Sequence, residues 1–442
     1  MPFISQDQVN EVNNKLTNDL SKLGKLYKAK KGKYQTRTVD HSLVDELLTK
    51  GWSIDKELKT KTKLVKEKTH SKEFEDDIWC QFYELGYRNL NFDETFVLPF
   101  GKDFKDKKQI DIIAIDNETV FLIECKSSKK SKKAPSYKDE FDLLRLRLDG
   151  FKKSMQQVLN RKIRIKYVFA TRNLRLDEDS YDLERLRESR SFYYNDSTYL
   201  YVNNLIKHYK NAALYQFLGL VFKNEKINDE KIEIPAIEGD MGGKKYYMFS
   251  IEPDLLLKIG FVLHRAKANE SEFPTYQRLL QPARLKGITK FINDGGYFPN
   301  SIIVNFSGKN KNKLHFEFSK TTKNSSSKLG VLKITNAYAI AYIIDGQHRL
   351  YGYANSQYKD SNTIPVVAFD VGGNKDLILH KENGYLAKPF NADDLKRGID
   401  WILGHESSRA LKEHARNSVL LRFDSKKVAK DYVQLYESIL KN

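Results

Sequence analysis

The sequence predicts an α/β (α+β) chain of several domains, and three observations carry that expectation. Its 442 residues suffice for two or three separate cores. Helical periodicity gives way to strand-type runs twice, on either side of the turn Gly239-Asp240-Met241-Gly242-Gly243. The second unit ends in an apolar run, 339–344, which breaks at Asp345-Gly346-Gln347-His348-Arg349 and resumes as an amphipathic segment through Leu350, Tyr351, Tyr353 and Ala354. Strand, tight polar turn and helix start follow in one line. A glycine there admits backbone N–H groups close to a bound group, and both a helix N-terminus and Arg349 favour a phosphate.

The elements are read in order from the N-terminus. The first seventy residues are polar and lysine-rich, densest over 56–72, and are expected to form a helical or flexible basic arm. Phe74, Ile78, Trp79, Phe82 and Leu85 then recur at helical spacing and stop at Gly86, which can supply a left-handed cap. Strand-type runs follow at 109–115 and 119–125, separated by Asp116-Asn117. A solvated lysine cluster at 126–133, an amphipathic helix over 141–159 and a strand over 163–170 complete an αβββα-like unit. A helical extension passes through Tyr215-Gln216-Phe217-Leu218. The second unit carries a helix over 253–264, the polar Pro274-Thr275-Tyr276-Gln277-Arg278, a helix over 283–293, a strand over 301–306, and a Ser/Thr/Lys/Asn loop over 320–328 before the strand-turn-helix at 339–354. The expected domains are a basic arm (1–70), the first unit with its extension (71–235), the second unit (236–370) and a C-terminal tail (371–442).

A net charge of +18 and a pI near 9.4 are the footprint of a nucleic-acid binder. Two cysteines, Cys80 and Cys125, provide neither a disulfide framework nor a zinc pattern and suit a reducing compartment. No secretory signal precedes Lys15, and no apolar run approaches the ~20 residues of a membrane helix. A soluble, cytoplasmic protein without a membrane partner is therefore expected.

Asp111 falls on one strand-type run, and Glu124-Cys125-Lys126 ends the next. Strand alternation puts Glu124 and Lys126 on one face, and a hairpin would bring Asp111 beside Glu124. Two converging carboxylates suit Mg²⁺, and a nearby lysine can orient or help deprotonate an attacking water and stabilise charge on a phosphate. Residues 70–175 resemble the PD-(D/E)XK nuclease superfamily in its restriction-endonuclease-like branch. The resemblance implies Glu75, Asp111 and Glu124 as metal ligands, with Glu73 as the alternative helix carboxylate, and Asp111, Glu124 and Lys126 as the catalytic set.

Residues 244–369 resemble the DGQHR-domain family, which includes the negative regulator of DNA phosphorothioation gene clusters and is related to the ParB/sulfiredoxin-like fold. Tyr276-Gln277-Arg278, Gly295-Gly296-Tyr297-Phe298-Pro299 and Asp345-Gly346-Gln347-His348-Arg349 carry the likeness, in the family's order. It implies that Tyr276, Gln277, Arg278, Asp345, Gly346, Gln347, His348 and Arg349 face a nucleotide or a DNA phosphate. From chemistry alone, Arg349 binds phosphate bidentately, Gln347 can read a base edge or ribose, and Asp345 can hold Arg349 or the loop.

The C-terminal Asp370-Val371-Gly372-Gly373-Asn374, Asn383-Gly384-Tyr385-Leu386-Ala387-Lys388-Pro389-Phe390 and Asp394-Leu395 resemble the end of a retaining glycosyltransferase of two-Rossmann-domain architecture. The paired-glutamate donor motif that should precede Pro365 is replaced by other sequence, and the acceptor domain is missing, so the tail reads as a helical Rossmann remnant without catalysis. The six residues 364–369 would serve equally as the last strand of the DGQHR unit. Together these resemblances imply a bacterial DNA-binding protein of a DNA-modification or phage-defence system. Its expected ligands are Mg²⁺ and a nucleotide, and its expected partners are DNA and other components of that system. The alternative is a non-enzymatic DNA-binding regulator of a phosphorothioation-type gene cluster; sugar transfer ranks last.

Overall fold

The computed structural model describes residues 2–264 apart from 93, 104, 242 and 243; 279–306; 314–369 apart from 322 and 324; and, beyond them, 381–382, 385, 392–404, 413–414 and 416–417. It is a mixed α/β chain with several sheets. Among the described residues no helix is long and apolar enough to cross a membrane.

The first sheet has six strands in the order Leu16–Thr17, Asn89–Asn91, Ile112–Ile115, Thr119–Lys133, Arg164–Arg175 and Phe192–Tyr194. Its centre is an antiparallel hairpin with Ile112 opposite Ile123 and Ile115 opposite Val120, and Thr119–Lys133 then pairs in parallel with Arg164–Arg175. Both faces are buried, and the period of two sorts the side chains between them. Ile112, Ala114, Phe121 and Ile123 pack in the same cluster as Phe74, Ile78 and Phe82 of the helix His70–Leu85. Ile113, Ile115, Val120 and Leu122 pack with Leu144, Phe151 and Met155 of the helix Leu144–Leu159. The first of these helices starts where Thr69 accepts from the Lys72 N–H and ends at Gly86, whose φ of 113° only glycine adopts readily. Phe82 is fully buried and meets Phe217 edge-on at 5.5 Å, so Phe82→Ala is expected to cost about 3–5 kcal/mol.

The lysine-rich arm is helical, as expected, over Gln6–Asn13, Leu20–Lys31 and Val44–Thr49, and differs from expectation in its strands. Within 34–67 three strands form an antiparallel sheet, with Lys61–Glu67 between Tyr34–Asp40 and Ser53–Glu57. The helical or flexible reading missed the alternation in Lys61-Thr62-Lys63-Leu64, where Thr62 and Leu64 are buried and Leu64 joins Leu47 and Trp52 in a small core. The cluster 126–133 is likewise strand, as an extension of Thr119–Lys133.

The second sheet has eight strands in the order Gly260–Phe261, Ala341–Asp345, Ile302–Phe306, Ile364–Phe369, Lys244–Ile251, Lys226–Met241, Lys328–Ala337 and Leu314–Thr321. Lys226–Met241 runs through the boundary placed at residue 235 and belongs wholly to this sheet. The helix expected over 253–264 ends at Ile259, because Gly260 turns extended and Gly260–Phe261 pairs with Ala341–Asp345. Ile364–Phe369 lies inside the sheet, parallel to Ile302–Phe306 and antiparallel to Lys244–Ile251.

The two sheets are joined by apolar packing and by polar contacts, some of them buried. Gln216 exchanges both amide hydrogen bonds with the Val262 backbone and accepts a third from the Tyr351 hydroxyl. Arg164 donates to Tyr338 and to the carbonyls of Lys226 and Ile227.

Candidate functional site

The hairpin register leaves Asp111 level with Glu124. Asp111 sits at a bend just before the strand rather than on it, because the run 109–115 is split into Lys107–Gln109, which pairs with Val97–Pro99, and Ile112–Ile115. Asn91 clamps this bend. Its Nδ2 donates to the Asp111 carbonyl at 3.0 Å and its Oδ1 accepts from the Ile113 N–H at 3.1 Å. The Trp79 indole N–H in turn donates to the Asn91 carbonyl. Asp111 Oδ2 accepts from the Cys125 N–H at 2.8 Å, which fixes the carboxylate over the start of the Glu124-Cys125-Lys126 triplet.

Glu124 is 7% exposed. Its Oε1 takes the Lys126 ammonium at 2.5 Å; its Oε2 makes no hydrogen bond and faces the Lys108 ammonium at 3.3 Å. Lys108 also pairs with Glu140, which accepts from the Tyr167 hydroxyl at 3.1 Å. Glu75 lies on the helix beside them: burial, and next the charge of Asp111, push its carboxyl up to about 7. Burial, and next the charge of Glu124, raise Asp111 as well. Burial pulls the Lys126 ammonium down, but Glu124 outweighs it, and the net shift is upward. Lys126 therefore stays protonated near neutrality and acts as a fixed positive charge rather than a base. Glu73 is exposed, so of the two helix carboxylates Glu75 is the one that faces Asp111.

Three carboxylates, one of which (Glu124) has a buried oxygen that makes no hydrogen bond, have the chemistry of a Mg²⁺ site. Their placement is not that of a formed one: among the described residues no three His, Cys, Asp or Glu side chains stand at metal-ligating spacing. Glu124 is held between two lysines and Asp111 by a backbone N–H, so an ion must displace Lys108 or Lys126 from Glu124. Lys108, Glu140, Asn91 and Tyr167 join this cluster without any sequence signal, since they come from four separated segments brought together only by the sheet.

At the second motif, Ala341–Asp345 ends and Gly346 turns with φ 90° into the helix Gln347–Tyr353. The φ favours glycine, and a Cβ on Gly346 would meet Ile302 Cδ1 at 2.5 Å, so the end of that side chain would have to shift. Arg349 is already engaged, donating to Asp345 at 2.9 Å and to the Asn300 carbonyl. His348 Nε2 accepts from the Gln281 N–H at 3.4 Å, and burial, with the charge of Arg284 second, lowers its pKa. Gln347 Oε1 lies 3.5 Å from the Tyr209 hydroxyl, which contacts His264 Nε2 at 2.6 Å, while Tyr201 contacts Nδ1 at 2.9 Å. Burial lowers His264 to about 4, so it is a neutral imidazole that bridges two tyrosines.

Asp345, Gly346, Gln347, His348 and Arg349 line an open cleft of about 760 Å³, with Arg284, Ile288, Phe298, Pro299, Asn300 and Ile344 on its other walls. Arg284 is exposed on the helix Pro282–Asn293 and has no carboxylate partner among the described residues. Tyr276, Gln277 and Arg278 lie outside the described residues.

The two sheets and their sites thus define a mixed α/β, multidomain chain with a carboxylate–lysine cluster in its first half and a polar cleft in its second. Residues 234–376 match the model of the DNA-sulfur modification-associated family, DndB, and residues 361–418 match that of glycosyl transferases group 1. No curated protein matches the chain. Among solved structures, protein VC1899 from Vibrio cholerae is similar at 11% identity and a TM-score of 0.21, over 46% of this chain and 57% of that one.

Proposed function

We propose that the chain is a DNA-acting component of a DNA-modification system, in which a Mg²⁺-dependent, restriction-endonuclease-like nuclease unit is joined to a DGQHR unit of ParB/sulfiredoxin-like fold that binds a nucleotide or DNA. The observation that supports this reading is that the hairpin sets Asp111 level with the Glu124 and Lys126 of its partner strand, with Glu75 on the adjoining helix near enough for the Asp111 charge to raise it. The match of residues 234–376 to the DNA-sulfur modification-associated family supports the setting. Glu75, Asp111 and Glu124 would hold Mg²⁺, which when bound would activate water and neutralise phosphate charge. Asn91 and the Cys125 N–H hold Asp111 against the hairpin, and the Lys126 ammonium would stabilise charge on the scissile phosphate. The DGQHR cleft would gate or target the cut.

Incubating plasmid DNA with the protein and Mg²⁺ tests this: the wild type should nick or linearise it, while Asp111→Asn should not. The second reading, a DNA-binding regulator without catalysis, is favoured by the neutralisation of Glu124 by Lys108 and Lys126. Under it, the wild type binds duplex DNA and leaves the plasmid intact with Mg²⁺ in every modification state. Sugar transfer is not expected of the tail, which lacks the donor glutamates.

A further inference from the structure

Just beyond Lys126 the two parallel strands lose their register. Ser127 pairs with Arg172 and Lys132 with Leu174, so Ser128, Lys129, Lys130 and Ser131 all stand opposite Asn173 alone. The partner strand is shaped to support this bulge. Asn173 is left-handed, with φ 56°, a region asparagine tolerates better than most residues. Its N–H bonds to the Asp196 carboxylate at 2.9 Å and its Nδ2 donates to the Ser128 carbonyl at 3.0 Å. Lys129, Lys130 and Lys132 are exposed and have no ion pair among the described residues. The nearby acid Asp177 is occupied by Lys133 at 2.7 Å and by Arg175 at 3.7 Å. Bulges of this kind bend a strand and re-aim its side chains, often beside functional sites.

We propose that the bulge is a duplex-DNA contact whose lysines seat the phosphates of one strand next to Glu124 and Lys126. The proposal rests on the reading that the carboxylate cluster acts on DNA, and it adds the surface that would present the substrate. Lys129 is three residues past Lys126, at most ~11 Å along an extended chain. That is at most the axial rise of about three base pairs, at ~3.4 Å each. An ammonium group here can therefore hold the same strand whose phosphate sits at the carboxylates.

Binding of a 20-base-pair duplex by the full-length protein, followed by fluorescence anisotropy across a salt series, tests it. Lys129→Gln/Lys130→Gln should make the slope of log affinity against log salt shallower by about 1.8, for two phosphates at ~0.9 each. Lys152→Gln/Lys153→Gln removes equal charge from another exposed surface and should leave the slope unchanged. Asn173→Val, which keeps both lysines but removes the left-handed support, should reduce the slope in the same direction as the lysine variant, with folding checked by circular dichroism. Equal slopes in the wild type and Lys129→Gln/Lys130→Gln would overturn the bulge as a contact while leaving the DNA reading standing. Equal slope changes in the two lysine pairs, or an equal loss of affinity for single-stranded RNA, would overturn it as a placed duplex contact. A wild type that fails to bind duplex at all would remove both proposal and reading.

Discussion

The carboxylates at the end of the first sheet are crowded against one another and held by lysines, whereas the cleft of the second sheet leaves the cation Arg284 without a carboxylate partner among the described residues. The contrast shows two opposite deficits. Glu75 and Asp111 carry raised pKa values because burial, and next the charge of Asp111 on Glu75 and of Glu124 on Asp111, disfavour their charged forms, so that site gains from an added cation. In the cleft, Arg349 is committed to Asp345 and Asn300, and Arg284 lowers the His348 pKa with no acid among the described residues to balance it, so that site gains from an added anion. Variants that remove one deficit and not the other can separate the two.

The largest effect is expected from Asp111→Asn and Lys126→Ala, each lowering Mg²⁺-dependent plasmid cleavage by roughly 100-fold or more. Neither should unfold the protein, since asparagine can still accept the Cys125 N–H and Lys126 is partly exposed. Cleavage at the wild-type rate in either variant would break the assignment of the first site.

Glu75 provides a test by pH. Its folded pKa of about 7 exceeds its ordinary value of 4.5, so the folded state binds more protons than the unfolded state between these values. Stability should then fall as pH rises from 4.5 to 7, by at most about 3 kcal/mol, and level off above. Glu75→Gln should flatten that slope in urea denaturation, making the variant the more stable protein at pH 8. Mg²⁺ should raise the wild-type Tm more at pH 8 than at pH 5, and should do less for Glu75→Gln. A wild-type stability that rises across pH 4.5 to 7 with no difference from the variant would contradict the crowding.

These expectations also mark how far the sequence was legible. The helix with Phe74, Ile78, Trp79, Phe82 and Leu85 is where the periodicity put it, capped by Gly86, because its spacing and its stop signal are both local. Placing Asp111 beside Glu124 needed only the hairpin, and the turn Asp116-Asn117 closes it, with Asp116 accepting from the Glu118 and Thr119 N–H groups. The lysines that answer Glu124 were less accessible. Lys108 arrives from before the Asp111 bend, which the Asn91 side chain clamps on both sides. The link from Gln347 to His264 was hidden for the same reason: Tyr201 and Tyr209 come from the helix Asp196–Tyr209 and His264 from beyond Gly260. In the arm, lysine density concealed a two-residue alternation.

In the cleft, Gly346→Val should cost about 2–3 kcal/mol, because a branched side chain must adopt φ 90° and displace Ile302. Thermal denaturation reads this directly. A Tm within a degree of wild type would mean that the turn is free to relax and that the cleft is not preformed.

A smaller, more specific effect is expected of Arg284→Ala, which should weaken nucleotide or duplex binding about tenfold, as loss of one charge-assisted contact, without lowering Tm. Arg349→Ala should lower both, because it also releases Asp345 and the Asn300 carbonyl, and Arg349→Lys should recover part of each by keeping the charge without the fork. Calorimetric titration separates them. Affinities unchanged in all three variants would remove the cleft as an anion site.

The smallest effect is expected from truncation after Asp370, which should leave DNA binding and any cleavage nearly unchanged. Where the cut falls decides the outcome, because Ile364–Phe369 pairs on both sides within the second sheet and Val366 and Ala368 are buried in its core. Removing that strand as well would expose two strand edges and should unfold the sheet. Beyond it, the described contacts join tail residues to one another: Tyr385 donates to Asp394, Arg397 pairs with Asp394, and Tyr385 meets Trp401 at 6.0 Å. The helix Ala392–Gly404 is amphipathic with Asp393 and Asp394 in its first turn, so it has its own start signal and an apolar face to cover. Some loss of solubility on truncation fits this arrangement. A truncated protein that is folded by circular dichroism yet loses all DNA activity would instead make the tail a working part. Sugar transfer by the intact chain would do the same, and would show that the match to glycosyl transferases extends to chemistry.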